Sequence, residues 1–383
     1  MPISRTVDAR LAVGPVDGRF EDVSRIAVLR GGGMGDLIFA LPAIQSLRAE
    51  YPDASVTLLG APMHAALLAG RPEVVDEVQV LPIAQGVRAL PGVEEDPVKR
   101  QRFLTTMADR QFDLAVQLHG GGRFSNPFLL ALGARHTVGS RTPDAVALER
   151  TVPYIYYQHE VLRGLEIVGL AGARPVILDP QLPPTDAERD VAAQFAEHAA
   201  PLVVIHPGAT DPRRRWPAER FAHVAERTAH DGARVIVVGD DTDVGTAREI
   251  VARAAAAGAK PGSVTSAAGA LDFTELVGLL LNATVMVGND SGPRHLAQAL
   301  GVPTVGVFWV GNVVNGAPFG RARHRVHMSW VTQCPICGVD TTQVGWTAAR
   351  CSHDLSFVEQ IAAEPVYADV AELMATTAPR NGR

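Results

Sequence analysis

Between Thr284 and Trp309 the chain reads Thr-Val-Met-Val-Gly-Asn-Asp-Ser-Gly-Pro-Arg-His-Leu-Ala-Gln-Ala-Leu-Gly-Val-Pro-Thr-Val-Gly-Val-Phe-Trp, and few folds accommodate that order. A short β-branched apolar run suits a buried parallel strand. Asn289, Asp290, Ser291 and Gly292 are turn residues with a ready N-cap, and Pro293 suits the first helical position. His295, Leu296, Ala299 and Leu300 keep helical spacing, Gly301 sits where a C-terminal cap belongs, and Pro303 to Phe308 reads as the next buried strand. A helix therefore opens at the carboxyl end of a strand, where unpaired N–H groups and a positive dipole end favour an anion. In an open α/β sheet that edge is where ligands bind. A phosphate-bearing ligand is one expectation here; an ordinary capped helix is the other, and the local pattern leaves both open.

The chain has 383 residues, which predicts two domains. Its apolar content is carried by Ala, Val, Leu and Gly rather than aromatics, a mix that suits helices packed on sheets. A formal charge of -6 argues against a nucleic-acid footprint. No apolar run approaches the ~18 residues of a membrane span. Asp8, Arg10, Asp17, Arg19, Glu21 and Asp22 interrupt any signal-peptide core. Three cysteines do not make a disulfide scaffold, so a cytoplasmic location is expected.

Residues 1–24 are an unpatterned extension. Residues 24–30 predict the first strand, Gly31-Gly-Gly-Met-Gly-Asp36 a glycine-rich crossing, 37–50 a helix, and 55–59 a second strand. The glycines miss the G-x-G-x-x-G spacing, because the sixth position is Asp36, and no acid ends the second strand; a dinucleotide site is therefore not expected. Asp36 is either an N-cap or the best-placed general base of this half. Further strands are predicted at 74–81, 112–118 and 135–140. His119-Gly-Gly-Gly-Arg123 follows the second of these; without a G-x-S-x-G elbow it is not an oxyanion loop, and His119 is a candidate substrate contact or a structural histidine. A helix is expected to end near Gly169.

Prolines 175, 180, 183 and 184 mark a linker. Beyond it come a helix at 185–198, the strand Leu202–His206, and a loop holding Gly208 and three consecutive arginines, 213 to 215, before Trp216-Pro217. The planar guanidinium fork suits phosphate oxygens. Asp240-Asp-Thr-Asp243 follows the next strand, at 234–239, and reads as helix caps plus one candidate ribose contact. A divalent-metal pair is the weaker reading. Cys334-x2-Cys337 and Cys351-x-His353 offer four candidate zinc ligands.

Five pieces in order resemble glycosyltransferase family nine, the ADP-heptose lipopolysaccharide heptosyltransferases. They are Arg30-x-Gly32-x-x-Gly35-Asp36 with the following Ala40 to Asp53, His206-Pro-Gly-Ala, the basic run ending in Trp216-Pro217, Asp290-Ser-Gly-Pro-x-His295, and Ala317-Pro-Phe-Gly320. The resemblance spans about residues 25–375. It implies an α/β GT-B fold, two Rossmann-like doubly wound domains facing across a cleft. The N-terminal acceptor-side domain would span 25–175, the linker 176–186, and the nucleotide-sugar domain 187–360. A final helix and tail, 361–383, would cross back onto the first domain.

By the same resemblance the chain inverts the anomeric centre without an essential metal, with Asp36 as catalytic base and Arg214 in place of the family lysine. Gly208, Asp243, Asp290, Ser291, Gly292 and His295 would hold the nucleotide sugar; Gly35, His119 and Arg123 are acceptor-side candidates. Cys334, Cys337, Cys351 and His353 would hold a structural zinc or stay reduced. The implied partners are a nucleotide-diphosphate sugar and a saccharide or glycolipid acceptor, with peripheral contact at the inner face of the plasma membrane where the acceptor is membrane-borne. Two departures stand out: residues 308–312 read Phe-Trp-Val-Gly-Asn where the family has Phe-Gly-Pro-Thr, and the N-terminal extension is extra. A catalytically inactive nucleotide-sugar binder and a nucleotide-sugar epimerase are the alternatives.

Overall fold

The computed structural model describes residues 13–90, 92–195, 200–343 and 349–377. The chain divides into two compact units between Gln181 and Leu182, within the proline-bearing stretch. The first unit runs β1 (Arg25–Leu29), α1 (Met34–Glu50), β2 (Ser55–Gly60), α2 (Pro62–Leu68), β3 (Glu77–Val80), α3 (Pro97–Ala108), β4 (Leu114–Gln117), α4 (Ser125–Leu130), β5 (His136–Arg141), β6 (Arg150–Pro153) and α5 (Glu160–Gly169). The strand order is β3-β2-β1-β4-β5-β6, and every pair is parallel.

The second unit repeats the scheme: α6 (Asp186–Phe195), β7 (Leu202–His206), α7 (Ala218–His230), β8 (Arg234–Val237), α8 (Val244–Ala256), β9 (Val264–Ser266), α9 (Phe273–Leu281), β10 (Val285–Asn289), α10 (Gly292–Ala299), β11 (Thr304–Trp309), α11 (Val310–Gly316), β12 (His324–Ser329) and α12 (Ala363–Thr376). Its order is β12-β11-β10-β7-β8-β9, again parallel throughout. Both sheets thus reverse direction beside their first strand, between β1 and β4 and between β7 and β10. Those switch points are where an open α/β sheet leaves a crevice at its strand ends.

Sequence explains the strands directly. β7 and β10 are buried at every position, as parallel strands covered on both faces must be. Short-range hydrophobic patterning also missed elements: α2, α4, α11, β6, β9 and β12 are short, polar or proline-led. The strand expected at 74–81 is only β3, because the chain turns at 71–75 first. The helix expected at 185–198 is described to Phe195, with 196–199 outside the described residues, as are 1–12 of the extension. Residues 13–24 belong to the first unit: Phe20 is buried, stacks on His136 at 4.1 Å and carries the Arg150 guanidinium 3.9 Å above its ring. The final helix, α12, is counted with the second unit. Its main packing partners are α7, β10 and β11. Its buried Ala363, Val366, Val370 and Leu373 join the core of that sheet. Among the described residues no helix is long and apolar enough to cross a membrane.

Candidate active site

In the second unit the switch point gathers the residues that the sequence singled out. β7 ends in His206 and β10 runs beside it, pairing Gly288 with His206. The loop between β7 and α7 is then fixed at both ends. Trp216 is buried; its amide donates to Asn289 Oδ1 (3.0 Å) and its indole to the Ile361 carbonyl (2.9 Å). Asp211 caps a short turn by accepting from the Arg213 amide (3.0 Å) and grips the Arg213 guanidinium. Arg214 is left to reach the turn after β10, with Nη1 3.2 Å from Asp290 Oδ2.

Asp290 is buried and uses its other oxygen to accept from His295 Nε2 at 2.8 Å. Burial pushes its carboxyl up, but the His295, Arg214 and Arg294 side chains outweigh that and hold it at about 2. His295 falls to about 4, first because it is buried and next because Arg294 adjoins it. Asp290 and His295 therefore lie beneath the helix start and orient Arg214. Ser291 and Gly292 beside them are part-exposed, and their amides make no backbone hydrogen bond among the described residues. Pro293 has no N–H and sits second in α10, not first as its sequence position suggested. Ser291 does not cap the helix with its side chain; its Oγ lies 3.0 Å from His206 Nδ1. This is an anion site in the physical sense: a dipole end, open amides and a guanidinium.

Asp243, expected as a ribose contact, has its carboxylate 3.5 Å from His206 Nε2 and accepts from the Asp240 amide at 3.3 Å. Burial raises its pKa, but His206, the Asp240 amide and Arg215 together hold it below the usual carboxylate range. A Cβ on Gly208 would stand 2.4 Å from Asp243 Oδ2, so glycine is what admits the carboxylate. The chain of contacts Asp243, His206, Ser291 ties the candidate nucleotide residues into one network.

In the first unit Asp36 sits in the first turn of α1. Its carboxylate accepts from the Gly33 amide (2.8 Å) and from Arg30 Nη2 (2.7 Å), while the side chain stays 45% exposed. Gly32, at φ +88, makes this possible, since a Cβ there would lie 2.4 Å from Asp36 Oδ2. Arg30 is buried and also donates to the Leu118 carbonyl, with Glu160 at 3.4 Å. Gly35 lies half-buried in the same turn. His119 lies two residues beyond the end of β4 (Leu114–Gln117); burial, then the Arg30 charge, lowers it to about 4. Arg123 is instead a surface residue, 69% exposed and 3.6 Å from Asp144.

Arg30, Glu160 and His64 complete this corner and were not among the sequence candidates. Arg30 stood in the quoted motif. His64 is fully buried; it accepts the Ala61 amide at Nδ1 (3.1 Å) and donates from Nε2 to the Gly33 carbonyl (3.1 Å). Glu160 lies 130 residues from Arg30, and no local signal could join them.

Cys334, Cys337, Cys351 and His353 come together with their four ligand atoms all within 4.8 Å of one another. No two of the cysteines are bonded. The first pair is held by a tight turn: the Cys334 amide donates to the Val339 carbonyl and the Gly338 amide returns to the Cys334 carbonyl. Three thiols and an imidazole are the donor set of a tetrahedral site, whose ligand–ligand edges are ~3.5–4 Å, so a small inward movement suffices. The same segment grips the arginine loop. The Phe357 amide donates to the Arg213 carbonyl (2.7 Å), Ser356 Oγ to the Arg215 carbonyl (2.6 Å), and Arg350 lies 3.5 Å from Asp211.

Comparison with known proteins agrees in sequence and in fold. The profile of Glycosyltransferase family 9 (heptosyltransferase) matches residues 100–342. Lipopolysaccharide heptosyltransferase 2 of Salmonella typhimurium is 24% identical over 298 residues, covering 74% of this chain and 82% of that protein. The solved Escherichia coli ADP-heptose lps heptosyltransferase II superposes with a TM-score of 0.67 at 20% identity, covering 92% of this chain and 98% of that one. TibC, an iron-containing dodecameric glycosyltransferase from enterotoxigenic E. coli, superposes with a TM-score of 0.52 at 16% identity, covering 94% and 78%.

Proposed function

The chain belongs to glycosyltransferase family 9 and is a glycosyltransferase of the heptosyltransferase type, and from that premise we propose how its residues act. The donor is a heptose on a nucleotide diphosphate, ADP by analogy with the E. coli relative named for ADP-heptose. The acceptor is a saccharide or glycolipid. Where it is membrane-borne, the enzyme works at the inner face of the membrane. The acceptor oxygen bonds to the anomeric carbon as the bond from that carbon to the β-phosphate oxygen breaks, inverting the centre. The acceptor proton passes to Asp36, and the leaving diphosphate keeps the electron pair. Arg214 and the Ser291 and Gly292 amides meet the charge that builds on it. Asp36 needs only a partly exposed carboxylate to act as general base, and no metal takes part in the transfer.

The observation that carries this reading is the pairing of Arg214 with open amides at the start of α10, held by buried Asp290. A thermal-shift panel tests it, because a ligand that binds the folded state raises the melting temperature. ADP should stabilise the protein more than UDP or GDP, and Arg214→Ala should remove that gain. Equal stabilisation of Arg214→Ala and the parent by ADP would overturn the assignment. Incubation with donor alone separates transfer from epimerisation, since only an epimerase alters the sugar without acceptor.

We further infer that Cys334, Cys337, Cys351 and His353 hold one structural metal ion. Zinc is the first expectation from the donor set, and iron, which TibC contains, suits the same thiolate-rich site. Its role would be to fasten residues 350–357, and through them the arginine loop. It supplies no chemistry to the transfer.

A further inference from the structure

Arg30 follows β1 directly, and its amide donates to the Leu59 carbonyl of β2 at 3.0 Å, so the sheet fixes where its side chain begins. That side chain is buried and reaches three other places. Nη1 donates to the Leu118 carbonyl, just beyond β4. Nη2 lies 2.7 Å from Asp36 Oδ1 and 3.4 Å from Oε2 of Glu160, the first residue of α5. Nε donates to the Asp36 backbone carbonyl at 3.0 Å. Glu160 is held in turn by Arg163 Nε at 3.2 Å, and Arg163 is also buried. One guanidinium therefore grips Asp36 by side chain and main chain, and bridges the switch point between β1 and β4.

Helix capping does not require this. The Gly33 amide, 2.8 Å from Asp36 Oδ2, already supplies the contact of an N-terminal cap. One contact leaves the carboxylate free to turn, because the last torsion of an aspartate is broad and roughly two-fold. The second contact, from Arg30 to the other oxygen, fixes the plane. It adds little stability, since the Asp36 side chain is 45% exposed and solvent screens such a pair. Burying a guanidinium is itself costly. What the contact adds is direction: each carboxylate oxygen keeps a free lone pair, and with the plane fixed those lone pairs aim from an exposed carboxylate along set lines. A reacting group misplaced by ~1 Å can lose on the order of a hundredfold in rate.

Resting on Asp36 as the general base, we propose that Arg30 is a positioning residue of the transfer: it fixes the plane of the Asp36 carboxylate from anchors at Leu118 and Glu160. It acts through Asp36 and takes no proton itself.

Arg30→Met tests this by structure and by rate. The variant should fold, because Glu160 keeps Arg163 and no buried charge is stranded; its melting temperature checks that. In its crystal structure the Asp36 carboxylate should be turned or spread over several orientations. A carboxylate that keeps the parental orientation on the Gly33 amide alone overturns the proposal. Rates are read with ADP-heptose as donor and a deacylated lipopolysaccharide core oligosaccharide as acceptor. Arg30→Met should lower kcat by about ten- to a hundredfold and leave KM for ADP-heptose and ADP affinity nearly unchanged. Arg30→Lys, which keeps the charge but not the fork, is the milder variant and should fall between. The double variant Arg30→Met/Asp36→Asn decides the route. It should be no slower than Asp36→Asn alone, since a residue that acts through Asp36 then has nothing left to act on. A double variant slower by the full Arg30→Met factor overturns the proposal. An Asp36→Asn enzyme with the parental rate, or a parent that binds ADP-heptose without transferring it, refutes the base or the acceptor reading instead, and the carboxylate's orientation in the crystal then decides the clamp by itself.

Discussion

Asp36 has two potential roles, helix cap and general base, and their magnitudes separate them. As a cap its carboxylate accepts the Gly33 amide at 2.8 Å and Arg30 at 2.7 Å. Removing an N-terminal carboxylate costs about 0.5–2 kcal/mol of stability. The ion pair adds little more, because the Asp36 side chain is 45% exposed and solvent screens it. Arg30 keeps the Leu118 carbonyl and Glu160, so no buried charge is stranded. Asp36→Ala should therefore lose about 1–3 kcal/mol in a urea melt and remain folded. As a base, the same carboxylate is worth about 10²–10⁴ in rate, or ~3–5 kcal/mol of barrier. The assay is ADP release at saturating donor and acceptor, with ADP affinity measured alongside. Asp36→Asn should lower kcat at least a hundredfold and leave ADP affinity within twofold, because the groups proposed to hold the nucleotide belong to the second unit. An Asp36→Asn enzyme that keeps more than a tenth of the parental kcat, while losing the expected stability, would reduce Asp36 to a cap.

Other perturbations have equally definite outcomes. Gly208→Ala places a Cβ 2.4 Å from Asp243 Oδ2; overpacking of this kind costs about 1–3 kcal/mol. Its melting temperature and ADP affinity should both fall, and an unchanged melt would mean the carboxylate moves aside freely. His119, His295 and His324 all drop to about 4 from 6.5 because they are buried. Their unfolded forms bind protons first as pH falls, so stability is complete above about 6.5 and declines from there toward 4, at ~2 kcal/mol per histidine by pH 5. The ligand-free melting temperature should fall by on the order of 10 °C between pH 7 and 5; a flat profile refutes the buried, neutral assignment. Elemental analysis of protein purified without chelator should find one zinc or iron per chain. Stripping it should speed amide hydrogen exchange at residues 211–215, which the 350–357 segment holds. A metal-free protein with the same exchange there would dissociate the cluster from the arginine loop.

How far the sequence could be read depended on the distance over which each interaction acts. Turn and cap chemistry acts within a few residues, and there the reading was direct: Asp290-Ser-Gly-Pro gave strand, turn and helix start, and β1 to β2 gave a βαβ unit. The paired sheets followed from the family resemblance and are what the strand order shows. Spacing also brought the three cysteines and His353 together in expectation, and their ligand atoms do converge. Side-chain direction was not legible. Asp243 reads as a helix cap or a candidate ribose contact, and its carboxylate turns inward where Gly208 and Gly239 leave no Cβ in its way. Arg123 reads as an acceptor-side candidate and is 69% exposed beside Asp144. Arg294, the unspecified position between Pro293 and His295, is buried with its guanidinium over the Phe308 ring.

These failures share a cause that matters for the chemistry. In each unit a buried or part-buried charge holds its partner's side chain: Asp290 holds Arg214, Arg294 adjoins His295, and Arg30 holds Asp36. In each pair one member is a recognisable motif residue, and the partner's role depends on which way its side chain points. A motif match therefore locates the reacting surface but leaves the direction of its side chains undetermined. That direction is held by the partner, which is why substitutions of Asp290 or Arg30 should change ligand affinity or rate before they change fold.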